Sequence, residues 1–396
     1  MKSLYVCYDG LLDPLGQSQV LPYLFELVKR GHTFTIISFE KEDHSAKEKQ
    51  DLKRTLNDAG IQWVQLTFRF GKWALLKRIF SGIFAIRQSS RRFQPDIVHL
   101  RGFMATTLYM LSGVGLPHLY DFRGFALGEW TDIKKLKVGS LPYKLLKIID
   151  QKAVRDAVGL VVLERAAEVL LRQTYPVSQV PLKVIRTSTN VTLYKPRTSL
   201  LSDDTSKSLR FVWLGGARSP YRPDLALKFI QNIMAHGVDC TIDFLNERDH
   251  FQIDSAASDL SFPREKMKVF KLEQSKIPQA LEQYHAGLVF LDTSPWRRVC
   301  SPTKVGEYLA AGLPVIALNG IDTLTALGRD SKCALLVEGQ ELDSGFSSLR
   351  ANNIVAFISQ PGIGADCQLL ARNEYSLEAA ATTYSQLYQE IEGGLR

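Results

Sequence analysis

Cysteine is scarce in this sequence, and none of it is paired. Only Cys7, Cys240, Cys300, Cys333 and Cys367 occur among 396 residues, and no two form a C-x-x-C pair. Neither a disulfide framework nor a zinc site is expected, and a reducing compartment, the cytoplasm, is the expected location. No Asp-x-Asp occurs, so one common carboxylate arrangement for a divalent ion is missing and no metal is expected. No G-x-G-x-x-G follows a strand-like run, which speaks against a dinucleotide-dependent dehydrogenase. Long apolar runs are missing too. The longest stretch without Lys, Arg, Asp or Glu is 102–120, and its GVGLP turn and His118 break it well before it could span a bilayer. The opening MKSLYVCYDG is too short in apolar residues for a signal peptide and reads as a strand. No period of 20–50 residues repeats, which excludes a solenoid.

Acidic residues are in short supply in the first half only. Residues 1–196 carry 29 Lys and Arg against 17 Asp and Glu, or +12; the remainder carries 20 against 24, or −4. Together these give the net charge of +8. Cations confined to one half imply an anionic partner there. None of the common nucleic-acid signatures is present, so nucleic acid is not that partner.

Hydrophobic residues make up 45% of the chain and charged residues 23%, the composition of a globular protein, and the length suits two domains. Strand-like runs alternate with amphipathic helix-length segments, as in α/β units on a parallel sheet. SLYVCY, TFTIISF, WVQLTF, DIVHL, PHLYDF, GLVVL and KVI belong to the first half. RFVWL, CTIDFL, KVFKL, AGLVFL, PVIAL and CALLV belong to the second. The polar stretch 195–208, KPRTSLLSDDTSKS, reads as a linker. The spacing thus predicts domains at 1–195 and 209–375, with a closing helix over 376–396, capped by Ser376 and stopped at Gly393.

The most informative run is SPTKVGEYLAAGLPVIA, 301–317. Ser301 suits an N-cap, Pro302 the first helical position, and Gly312 with Pro314 the end of a short helix before strand PVIAL. A helix N-terminus offers unpaired N–H groups and partial positive charge, a natural diphosphate site. Thr303 and Lys304 would add a hydroxyl and a cation. Glu307 shares their face and could accept hydrogen bonds from ribose hydroxyls. An ordinary capped amphipathic helix with Glu307 in solvent is the alternative.

This run resembles the donor-binding segment of family 4 glycosyltransferases, whose pattern ends in E-A-x-A-x-G-x-P-V. Four other segments fall in the family's order: YDGLLDPLGQSQVLPYLFELVKRGH, VIRTSTNVTLYKP, FVWLGGARSPYRPDLALKFI and YSLEAAATTYSQLY. The resemblance implies a GT-B fold, an α/β architecture of two Rossmann-like doubly wound domains facing an interdomain cleft. It implies transfer of a sugar from a nucleoside diphosphate sugar to a glycan or lipid-linked acceptor, with retention and without a nucleophile from the protein. The alternatives are a non-catalytic nucleotide-sugar binder and a nucleotide-sugar 2-epimerase of the same fold.

By that resemblance, Arg218 matches the arginine of the family's basic pair, and Arg222 stands near the place of its lysine. A solvated loop is the alternative for both. Gly16 would let backbone approach the donor closely, or serve only a turn. With Ser301, Thr303, Lys304 and Glu307, these are the candidate donor-binding residues. Two departures stand out. Val299 occupies the place of a glutamate that contacts the transferred sugar. YDFRG replaces a segment bearing a histidine, which makes Asp121 and Arg123 candidate catalytic residues; Asp121 could orient a hydroxyl or accept its proton, and Arg123 could bind an anion. A structural Asp–Arg pair is the alternative, and His99 and Arg101 are weaker candidates for the same place.

Residues 69–93, RFGKWALLKRIFSGIFAIRQSSRRF, combine aromatic residues with seven cations and no acid. The segment reads as a helix whose apolar side packs on the first domain's sheet. Its basic side, joined by IKKLKVGSLPYKLLK (133–147), suits the cytoplasmic face of an anionic membrane.

Overall fold

The computed structural model describes residues 1–177, 180–196, 208–246 and 248–395. The chain divides into two compact units, Met1–Arg186 with Leu377–Arg396, and Thr187–Ser376. Each apolar run named above forms a strand. The first unit holds β1 (Lys2–Cys7), β2 (Thr33–Lys41), β3 (Gln62–Phe68), β4 (Ile97–Arg101), β5 (His118–Asp121), β6 (Gly159–Val162) and β7 (Leu182–Val184). The second holds β8 (Leu209–Leu214), β9 (Cys240–Leu245), β10 (Met267–Phe270), β11 (Ala286–Val289), β12 (Val315–Leu318) and β13 (Ala334–Val337).

All pairings within both sheets are parallel. The orders are β3-β2-β1-β4-β5-β6-β7 and β10-β9-β8-β11-β12-β13. In each sheet the strand sequence reverses direction once, between β1 and β4 and between β8 and β11. Such switch points open a crevice at the carboxyl ends of the strands, where α/β sheets receive ligands.

Helices cover both faces of the first sheet, so successive residues of a strand enter different cores. Tyr5, Cys7 and Ile36 pack with the closing helix Leu377–Leu395, which buries Ala381, Tyr384, Tyr388 and Ile391 on one face. Leu4, Val6, Ile37 and Phe39 pack on the other side with residues of helices Lys72–Phe93 and Gly102–Ser112. Gly159 admits the closing helix: a Cβ there would stand 2.6 Å from Ile391 Cδ1. That helix runs through Gly393 rather than stopping at it. A helical glycine costs only about 1 kcal/mol, and the packing of the preceding turns offsets it.

The second unit begins ahead of the predicted linker. Thr189 N–H donates to Tyr375 O at 2.8 Å, and Val191 and Tyr194 pack on that unit's core. Of the linker itself, 197–207 lie outside the described residues.

Candidate functional site

Helix Thr303–Ala310 follows the loop after β11, at the switch point of the second sheet. Pro302, not Ser301, is its cap residue, and it offers no side-chain cap. Ser301 is held elsewhere. Its hydroxyl lies 3.1 Å from that of Thr187, which also reaches the Ser301 carbonyl at 3.1 Å. Ser301 therefore fixes the loop instead of capping the helix. The other end forms as the sequence suggests. Gly312 takes a φ of 71°, Gly312 N–H donates to Leu309 O, and Leu313 N–H donates to Tyr308 O. That pair of bonds turns the chain sharply into β12.

Thr303 opens the helix and is half-buried. Lys304 is only 3% exposed, and its Nζ has no hydrogen-bond partner among the described residues. The ammonium instead lies 4.3 Å from the Trp213 ring centre and 3.9 Å from that of Tyr221. Ring faces attract a cation, yet they leave its three donors unmet. Burial pushes the Lys304 amine down to about 7, with Glu307 pulling it partly back. Burial pushes the Glu307 carboxyl up to about 7, against the Gln274 hydrogen bond and Lys304. Glu307 is half-buried one turn behind Lys304 and accepts from Gln274 Nε2 at 3.0 Å.

Both groups take up a proton in the same range. As pH falls through about 7, Lys304 gains positive charge and Glu307 loses negative charge. The Lys304 charge should make a phosphate-bearing ligand of this site bind more tightly at pH 6 than at pH 8. Titration at the two values checks this, and Lys304→Met should flatten the difference.

The basic pair is arranged differently from the expectation. The loop 215–222 is pinned by Asn246 Nδ2 on Gly215 O (2.8 Å) and by Ala217 N–H on Asp249 Oδ2 (3.0 Å). Asp249 also holds Arg218, Nε to Oδ1 at 2.7 Å, although the Arg218 side chain stays mostly exposed. Arg222 turns onto carboxylates: its Nε and Nη2 meet Asp224 at 2.9 and 2.6 Å, and its Nη1 meets Asp292 at 3.3 Å. Both arginines are thus ion-paired, Arg222 with two carboxylates at the start of helix Pro223–Met234 and Arg218 with one, and Arg218 is the more exposed of the two. Val299 is buried and apolar.

Trp213, Tyr221 and Gln274 were not singled out from the sequence. Tyr221 lies between the two arginines in a quoted segment and was legible there. Gln274 reaches Glu307 only through tertiary packing, for which the sequence carries no signal.

In the first unit, Gly16 sits in helix Pro14–Gln19 rather than in the loop before it. A Cβ at Gly16 would fall 2.1 Å from Gly10 O and 2.5 Å from Leu11 Cα. The close approach is thus to the chain's own backbone. Glu40 fastens that loop, accepting from Leu11 N–H (2.8 Å), Leu12 N–H (3.2 Å) and the Ser38 hydroxyl (2.6 Å).

Asp121 is fully buried at the end of β5. Its Oδ2 accepts from Arg123 Nη2 (2.7 Å), Tyr384 OH (3.0 Å) and His99 Nε2 (3.4 Å). Burial opposes its charge, but Arg123, His99 and Arg101 hold the carboxyl well below the usual range. These partners favour the charged carboxylate, which pairs with Arg123 through Oδ2.

The helix Lys72–Phe93 also departs from expectation. Ala85 and Ile86 are buried, but Trp73 is 81% exposed, Phe80 69% and Phe84 66%, with Leu76 exposed beside them. These residues recur on one helical face with Lys77 and Arg91, away from the sheet. Helix Gly102–Ser112 packs between this helix and Leu141–Asp156. The latter exposes Leu141, Leu145 and Ile148 beside Lys144 and Lys147.

Residues 20–193 match the family described as Glycosyltransferase Family 4. No curated protein matches the sequence. Among solved structures, sucrose-phosphate synthase from Thermosynechococcus elongatus is similar with a TM-score of 0.73 at 12% identity, over 99% of each chain. A glycosyltransferase from Rickettsia africae gives 0.66 at 15%, over 98% of each. Anabaena HepE, solved with UDP and glucose, gives 0.64 at 14%, over 98% of this chain and 99% of HepE. At these identities the likeness shows the fold: the two parallel sheets are those of GT-B glycosyltransferases.

Proposed function

We propose that this chain is a glycosyltransferase that takes a sugar from a nucleoside diphosphate sugar bound by the second unit. The observation that carries the reading is Lys304, a buried ammonium without an acceptor at the start of helix Thr303–Ala310. A diphosphate supplies the missing acceptors, and Glu307 one turn behind suits the ribose hydroxyls. Arg218, Lys304 and the helix N-terminus would stabilise the leaving diphosphate without a metal ion. HepE, of the same fold, was solved with UDP, a ligand of this class. Transfer with retention needs no nucleophile from the protein, since the leaving phosphate can take the acceptor's proton.

Glu307→Ala tests the ribose contact. Losing hydrogen bonds to a charged group should weaken nucleoside diphosphate binding by roughly tenfold or more, with the circular dichroism spectrum unchanged. Unchanged affinity in a folded variant would remove Glu307 from the site. Val299, apolar where the family pattern has a sugar-contacting glutamate, is the observation that favours a non-catalytic binder.

The acceptor in this reading is a glycan or a lipid-linked molecule reached at the cytoplasmic face of a membrane. Exposed Trp73, Phe80 and Phe84 with Lys77 and Arg91, and no acid within 69–95, suit an anionic bilayer. Each Lys or Arg near such a surface contributes about 1 kcal/mol. Replacing Lys77, Arg78, Arg91 and Arg92 with Gln should therefore lower binding to anionic vesicles at least tenfold in a sedimentation assay. Nucleoside diphosphate affinity should not change. Equal binding to neutral and anionic vesicles, or none to either, would favour an acceptor in solution.

A further inference from the structure

The first unit buries more positive charge than its own residues answer. His99 and Arg101 lie at the end of β4, Asp121 ends β5 and Arg123 follows. They stand at the carboxyl edge of the sheet, beside the switch point between β1 and β4. Arg101 and Asp121 are buried, and the Arg123 side chain keeps 14% of its surface open.

One carboxylate faces two guanidinium groups. Arg123 Nη2 donates to Asp121 Oδ2 at 2.7 Å, whereas Arg101 Nη1 stands 3.9 Å from the same oxygen, beyond hydrogen-bond reach. His99, its Nδ1 2.6 Å from Tyr388 OH, is pushed toward the neutral form by burial. Burial likewise keeps Tyr5, Cys7 and Tyr384 protonated beside the arginines. The cluster is left one positive charge in excess. Among the described residues, Nε and Nη1 of both Arg101 and Arg123 lack hydrogen-bond partners, as does Asp121 Oδ1. Orphaned buried donors are costly, and a structural ion cluster gains nothing from a surplus cation.

We propose that Arg101 and Arg123 bind an anionic group of the acceptor while Asp121 Oδ1 accepts from a neighbouring hydroxyl, so that the glycan or lipid-linked acceptor presents a phosphorylated or carboxylated sugar. Calling this ligand the acceptor rests on the transferase reading above. Guanidinium forks match the oxygens of phosphate and carboxylate, and the buried, unpaired Asp121 Oδ1 suits a donor beside them. A neutral sugar would leave the arginine donors unmet.

The test is calorimetric titration of the full-length protein with glucose 6-phosphate, glucuronate, inorganic phosphate and glucose, with UDP, ADP and GDP in parallel. At least one anionic sugar should bind, more tightly than inorganic phosphate, and glucose should bind far more weakly. Arg101→Gln and Arg123→Gln should each weaken the anionic sugar by roughly tenfold to a hundredfold and leave nucleoside diphosphate binding intact. If Arg123→Gln does not fold, Arg101→Gln carries the test, since Arg101 approaches Asp121 only at 3.9 Å. A nucleoside diphosphate bound without any anionic sugar, or equal binding by parent and variants, overturns this site and leaves the transferase reading standing. No binding of any nucleoside diphosphate by the parent would count against the transferase reading instead.

Discussion

Lys304→Met should bind a nucleoside diphosphate at least about 30-fold more weakly than the parent and yet unfold at a higher temperature. Removing one partner of a buried charge contact costs about 2–5 kcal/mol of binding, which sets the first figure. The gain in stability comes from the same burial. In the free protein the Lys304 ammonium has two rings but no acceptor, and its desolvation goes largely uncompensated. Methionine fills a similar volume without charge and should stabilise the fold by roughly 1–3 kcal/mol.

The sign with pH follows from a folded value lowered to about 7. Between that value and the ordinary lysine range the unfolded chain binds more protons, so stability rises with pH across this window. The penalty is full below about 7, and there the gain from Lys304→Met should be greatest. Thermal unfolding at two pH values with ligand titration reads both effects. A variant that loses stability and keeps its affinity would mark Lys304 as a packing residue.

Gly16→Ala should destabilise the first unit by roughly 1–3 kcal/mol or more, the range for overpacking a tight contact. The added Cβ falls 2.1 Å from Gly10 O, and backbone fastened by Glu40 cannot yield as a flexible side chain would. Urea denaturation gives the measurement. A loss confined to donor affinity, with stability unchanged, would restore the ligand-facing role that the sequence suggests for this glycine.

The contrast between Gly16 and Lys304 shows what a sequence carries. Strands were legible because parallel strands buried on both faces are continuous apolar runs, as in GLVV of β6 and VIAL of β12. The short helix at 303–310 was legible from Pro302, Gly312 and Pro314. Its cap was not, because Ser301 pairs with Thr187, more than a hundred residues away. Arg222 was placed beside the diphosphate by its position in a motif. Asp224 and Asp292 claim it instead, one a neighbour in sequence and the other brought in by β11. The aromatic face of helix Lys72–Phe93 was expected on the sheet because apolar stripes usually are buried. The sheet is covered there by Ile79, Ala85 and Ile86, and the large rings are left outside.

The central claim is that the second unit holds a nucleoside diphosphate sugar for transfer. The most direct measurement is release of free nucleoside diphosphate from a panel of nucleotide sugars, with and without candidate anionic sugar acceptors, by parent, Lys304→Met and Glu307→Ala. The expected result is turnover of one donor by the parent, stimulated by an acceptor, retained in the presence of chelator, and lost in Lys304→Met and reduced in Glu307→Ala. A donor that binds through Lys304 and is never turned over would contradict transfer and make the protein a binder. Turnover undiminished in Lys304→Met would contradict the site itself.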